Sequence, residues 1–140
     1  MQAVYCHSPN IWSLVLRTAL WSKWSHCGIV MPDKSIIHAD SYSGGVVQTS
    51  WSTFTIRHTY WEFKDIPLPD DEAAYTFARA QLGKPYDWWG VIGIALHRKW
   101  QDDTDWFCSE LVEAAAAAGG RQRFINDTWR VNPQHSWMVR

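Results

Sequence analysis

The chain has 140 residues, 46% hydrophobic and 19% charged, with a formal net charge of -1. That size fits one domain over 1–140 with enough interior to do without a disulfide or metal staple, and a charged share below the usual ~25% excludes a disordered chain. Balanced charge lacks the basic footprint of a general nucleic-acid binder, and the longest apolar run, 88–96, falls short of the roughly 20 residues that span a bilayer.

Residues 4–6 suit a short first strand. No basic residue precedes Arg17, and polar Cys6 to Asn10 interrupt the first apolar stretch, so this does not read as a secretory leader. The expectation is a chain made in the cytoplasm, or delivered by a carrier. Ser8-Pro9-Asn10 signals a helix start, and 11–23 reads as a largely apolar, buried helix. Strands are expected at 27–31 and 35–39 around the turn Pro32-Asp33-Lys34, and at 46–49 after Ser43-Gly44-Gly45. Residues 54–63 alternate as a strand does, with a change of phase near Tyr60-Trp61.

Asp70 then leads into a helix over 71–82, with acids in its first turn and Gly83 as its stop. A buried helix is expected over 88–97. Asp102 to Asp105 offer N-caps for a third helix, from about 106 through the alanine run to Gly119-Gly120. The tail, 121–140, reads as irregular, pinned by Trp129 and Trp137. Strands first and helices after indicate an α+β domain, a small antiparallel sheet packed against helices.

Cys108 falls in the first turn of the third helix, where unpaired N–H groups and the helix dipole favour a thiolate. It is equally placed to be an ordinary buried cysteine. A nucleophile needs a base and the base an orienter. If 27–37 form a hairpin, His26 and His38 lie on adjacent strands, where one imidazole can take the thiol proton while the other holds its second nitrogen. As single residues they are also ordinary strand-end histidines. Cys6-His7 and His26-Cys27 lack the paired spacings of a structural zinc site, so no metal or other cofactor is expected. Three cysteines point to a reduced compartment with at least one free thiol. The 11 tryptophans are either rigid core filler or the lining of a groove for a sugar, lipid or peptide.

Ser25-His26-Cys27-Gly28-Ile29-Val30, Ile36-Ile37-His38-Ala39, Gly45-Val46-Val47, Gly83-Lys84-Pro85-Tyr86-Asp87-Trp88 and Phe107-Cys108-Ser109-Glu110-Leu111-Val112 together resemble the circularly permuted branch of the NlpC/P60 superfamily. These are papain-like cysteine hydrolases, with YiiX/YaeF-like bacterial proteins and the lecithin retinol acyltransferase group among their relatives. Histidine precedes cysteine here by 108 − 26 = 82 positions, the order of the permuted branch. The resemblance implies Cys108 as nucleophile, His26 as base, His38 in the third polar position and Tyr86 near the oxyanion site. It implies a structural role for Glu110 and attaches none to Cys27, which stands where valine is commoner.

The implied function is a cysteine peptidase or amidase acting through an acyl-enzyme on a peptide, amide or acyl substrate. Peptidoglycan stem peptides are the family's usual class, and a compact chain would suit a phage or prophage product. One alternative is an acyltransferase or lipid-ester hydrolase with the same triad, which apolar surface near Trp12, Trp21 and Trp24 would favour. Another is a non-catalytic binding module of the same shape.

Overall fold

The computed structural model describes residues 1–9, 11–87, 106–124 and 131–139. Five strands, β1 (Gln2–His7), β2 (His26–Val30), β3 (Ile36–Asp40), β4 (Gly45–Thr49) and β5 (Tyr60–Asp65), form one antiparallel sheet in the order β4-β3-β2-β1-β5. The helices among the described residues are α1 (Ile11–Ala19), α2 (Trp51–Arg57), α3 (Asp71–Ala80), α4 (Cys108–Ala118) and α5 (Pro133–Met138). The architecture is α+β, as the order of elements along the sequence implies.

Strand alternation divides the core. Tyr5, Cys27, Ile29, Ile37 and Ala39 meet α3 and α4 on one face of the sheet. On the other, Val4, Cys6 and Ile36 pack on Phe54 of α2. Small side chains let the helices of the first face come close: Ala74 and Ala78 of α3 and Ala115 and Ala116 of α4 are all fully buried. Asp70 caps α3 by accepting from the Ala73 N–H at 2.9 Å, and Gly83, at φ +82°, takes the left-handed turn that stops the chain from continuing as helix.

Three expectations are corrected. Helix α1 ends at Ala19 rather than at 23, and of its described side chains Ile11, Leu14 and Val15 face outward while Ser13 is buried. Residues 54–63 are not one strand. Ser50 accepts from the Thr53 N–H at 3.2 Å and starts α2, so Trp51 and Phe54 pack on the sheet from a helix, and only the part from Tyr60 on is strand. The phase change at Tyr60-Trp61 was the seam between the two. The tail is not wholly irregular, because Asn132 caps α5 through the His135 N–H at 2.9 Å and Pro133 opens it. Trp137 does pin the tail, its ring 5.2 Å from those of both Tyr5 and Trp24. The helix expected at 88–97, the caps at 102–105, and Asn10 and Trp129 lie outside the described residues.

The β2–β3 ladder pairs only Ile29 with Ile37 and Val30 with Ile36, next to the turn. His26, Cys27 and His38 lie beyond these two ladder pairs.

Candidate active site

Cys108 is the first residue of α4 and is 5% exposed. The N-cap, Phe107, makes no side-chain capping bond, and the first-turn N–H groups of a helix favour an anion. Cys27 and His26 both stand at hydrogen-bonding range of the Cys108 sulfur. The Cys108 thiol is held well below the ordinary thiol range, foremost by the hydrogen bond from Cys27; burial opposes this, and the bond and charge of His26 add to it. Burial, and then the Cys108 bond, push the Cys27 thiol up, so it stays protonated and donates. No role was expected for Cys27, and none could be read from sequence, because its contact exists only once α4 lands on β2.

The other nitrogen contacts follow from the register. Gly28 stands across from His38 on β3. A Cβ there would lie 2.7 Å from Ile36 Cγ2 and 3.0 Å from His38 Cβ, so glycine leaves room for His38 to turn toward His26. His26 Nε2 and His38 Nδ1 are 2.8 Å apart, and His38 Nε2 is 3.2 Å from Thr49 Oγ1. Burial, then the charge of His26, push the His38 imidazole down to about 2, which keeps it neutral. A neutral ring between these two partners accepts at one nitrogen and donates at the other.

Asp40 ends β3 and binds Arg57 at 2.9 Å. Burial raises the Asp40 carboxyl, but the hydrogen bonds from the Ser43 hydroxyl and the Tyr42 N–H lead the effects that hold it below the usual range.

Tyr86 is stitched into the same corner. Its N–H donates to Gly44 O at 3.0 Å, and its segment bridges to Trp106, two residues before Cys108. Burial, and next the Cys108 and Cys27 thiols, raise the Tyr86 phenol well above its ordinary value. The four residues singled out from sequence, Cys108, His26, His38 and Tyr86, therefore lie together.

One residue of the site was missed. His58, the C-cap of α2, lays its ring 4.9 Å from that of His26 at an interplanar angle of 13°. The only signal in the sequence was a histidine inside a supposed strand.

The chain shares its fold with a solved bacterial protein. It superposes on the crystal structure of the metalloprotein YiiX from Escherichia coli O157:H7, a DUF1105 protein, with a TM-score of 0.66 and 22% identity. The match covers 97% of this chain and 77% of that of YiiX. No protein-family model and no curated protein matches the sequence.

Among the described residues no group of three or more His, Cys, Asp or Glu side chains is arranged to hold a metal ion, and no helix is long and apolar enough to cross a membrane. Neither Cys6 nor His7 joins the relay: the Cys6 thiol donates to the backbone carbonyl of His26 at 3.7 Å, and His7 meets Arg17 at 3.3 Å. Trp24 is core, yet with His7, Lys23, Tyr60, Trp61 and Glu62 it also lines an open groove of about 320 Å³.

Proposed function

We propose that the chain is a cysteine hydrolase of the amidase or peptidase type, on a circularly permuted papain-like fold of the NlpC/P60 kind. The observation that carries this reading is the relay at the start of α4: Cys108, then His26, then His38 at 2.8 Å, then Thr49 at 3.2 Å. With His38 neutral and its Nε2–H given to Thr49, His38 Nδ1 accepts from His26 Nε2–H. That fixes the His26 tautomer and leaves Nδ1 to take the Cys108 proton.

The thiolate attacks the substrate carbonyl carbon, and the oxygen takes up the negative charge beside the Cys108 N–H and Tyr86. As the C–N bond breaks, His26 gives its proton to the leaving amine and an acyl-thioester remains. His26 then takes a proton from water, hydroxide displaces the thiolate, and the acid leaves. Peptidoglycan stem peptides are the substrate class this resemblance suggests.

A specific observation favours a second reading, acyl transfer or lipid-ester hydrolysis by the same residues. Ile11, Leu14 and Val15 of α1 are exposed, and Trp21 just beyond it is 93% exposed, an apolar strip suited to an acyl chain. Trp24, by contrast, is buried, and the side chain of Trp12 lies outside the described residues.

The name of YiiX raises a metal reading, and the described residues do not fit it. Two nitrogens on one tetrahedral zinc, each about 2.0–2.1 Å from it, stand about 3.3 Å apart, whereas His26 Nε2 and His38 Nδ1 bond each other at 2.8 Å.

The test is intact-mass analysis during reaction with peptide p-nitroanilides and with p-nitrophenyl esters of short and long acids. An acyl adduct on Cys108, absent in Cys108→Ala, is expected. Turnover of anilides supports the amidase reading, and turnover of long-chain esters alone supports the second. No adduct and no turnover with any of them overturns both.

A further inference from the structure

We propose that His58 is a positioning residue: by stacking on the His26 imidazole it holds that ring with one nitrogen on Cys108 and the other on His38. This rests on the cysteine-hydrolase reading and adds a residue to its machinery.

Hydrogen bonds at two edges of a ring still let it rock about the line between them. His26 meets His38 at 2.8 Å and stands at hydrogen-bonding range of Cys108. The His58 ring supplies the missing constraint by covering a face of His26 at 4.9 Å and 13°. His58 is itself held on two sides. Its backbone N–H donates to Phe54 O at 3.2 Å, and its ring lies 4.5 Å from the Phe54 ring and 6.4 Å from that of His38. Hydrogen bonding does not explain the orientation of the ring, because His58 Nδ1 is buried with no hydrogen-bond partner among the described residues. Ring packing does.

Charge is consistent with this role. The groups around the stack are His38 and Asp40 of β3, Arg57 of α2, Cys27 of β2 and Cys108 of α4. Burial, then the charge of His26, push the His58 imidazole down to about 3, so it stays neutral and does not repel the imidazolium that forms on His26.

A filler role and a stacking role part company at two substitutions. His58→Leu fills the space without a flat ring, and His58→Phe keeps the ring without the nitrogens. The experiment is the pH profile of Cys108 alkylation by iodoacetamide, read by peptide mass on wild type and both variants, with circular dichroism melts alongside. His58→Phe should match wild type. His58→Leu should react about three- to tenfold more slowly near pH 6, the size of an aromatic contact, with a raised apparent pKa. A Leu variant that matches wild type, or a Phe variant that falls with it, overturns the proposal while the hydrolase reading stands. A wild type with an ordinary thiol pKa overturns the hydrolase reading itself, and this inference with it. If the Leu variant does not fold, His58→Gln, likewise without a ring, takes its place under the same criteria.

Discussion

Acidification from pH 7 to pH 5 should destabilise the fold through its buried histidines, and His58 should account for a definable share. A free histidine titrates near 6.5; burial and the neighbouring His26 charge push His58 down to about 3. Between these values the unfolded chain binds a proton that the folded chain does not. Stability is therefore full above about 6.5 and is lost progressively as the pH falls toward the folded value. At about 1.4 kcal/mol per unit, one such histidine costs about 2 kcal/mol between pH 7 and 5. His38, pushed down to about 2 by burial and the His26 charge, adds a similar amount. Asp40, held below its ordinary range, stays ionised in this window. Cys108→Ala takes the thiolate out of the balance. Urea unfolding at both pH values, on Cys108→Ala and on Cys108→Ala with His58→Phe, should show the second variant losing about 2 kcal/mol less on acidification. Equal losses would refute the assignment of a buried, neutral His58.

Replacing Cys27 by valine removes the donor foremost in holding the Cys108 thiol low; a hydrogen bond to a charged group is worth about 1.5–3 kcal/mol, so the Cys108 pKa should rise by about one to two units in a thiolate absorbance titration. Gly28→Ala places a Cβ 3.0 Å from His38 Cβ and 2.7 Å from Ile36 Cγ2, which should cost about 1–3 kcal/mol in urea unfolding and slow Cys108 alkylation by displacing His38. Arg123→Met strands Glu113, its partner at 3.1 Å, with both side chains 1% exposed. The loss should be about 3–5 kcal/mol by the same unfolding assay, and restoring the balance with Glu113→Gln should recover part of it.

Strands β2, β3 and β4 were legible because they are short apolar runs broken by the Pro-Asp-Lys and Gly-Gly turns. Helix α3 was legible from Asp70 and Gly83. The stretch 51–57 misled because Thr53, Thr55 and Ile56 carry strand propensity, while the Ser50 cap and the packing of Phe54 on Val4, Cys6 and Ile36 decide for a helix. That error also hid His58, which acquires a partner only when α2 turns it back over β2. An apolar run marks what can be buried and not which face is: of the described side chains in 11–23, Ser13 and Ser22 are buried while Ile11, Leu14 and Val15 are exposed. The Cys108, His26 and His38 grouping could be read because Cys108 and His26 open their elements and the Pro-Asp-Lys turn folds β3, with His38 at its middle, back along β2. The donor Cys27 could not, since its neighbour lies 81 positions away (108 − 27) and meets it only through helix docking.

The most direct test of the central claim is the pH dependence of alkylation at Cys108, followed peptide by peptide in wild type and His26→Ala, with Cys6 and Cys27 as internal controls. The account predicts an apparent pKa for Cys108 well below the free-thiol value of about 8.5, a shift that shrinks in His26→Ala, and no comparable reactivity at the two buried controls. A Cys108 that reacts as Cys6 and Cys27 do, or whose profile is indifferent to His26, would contradict it.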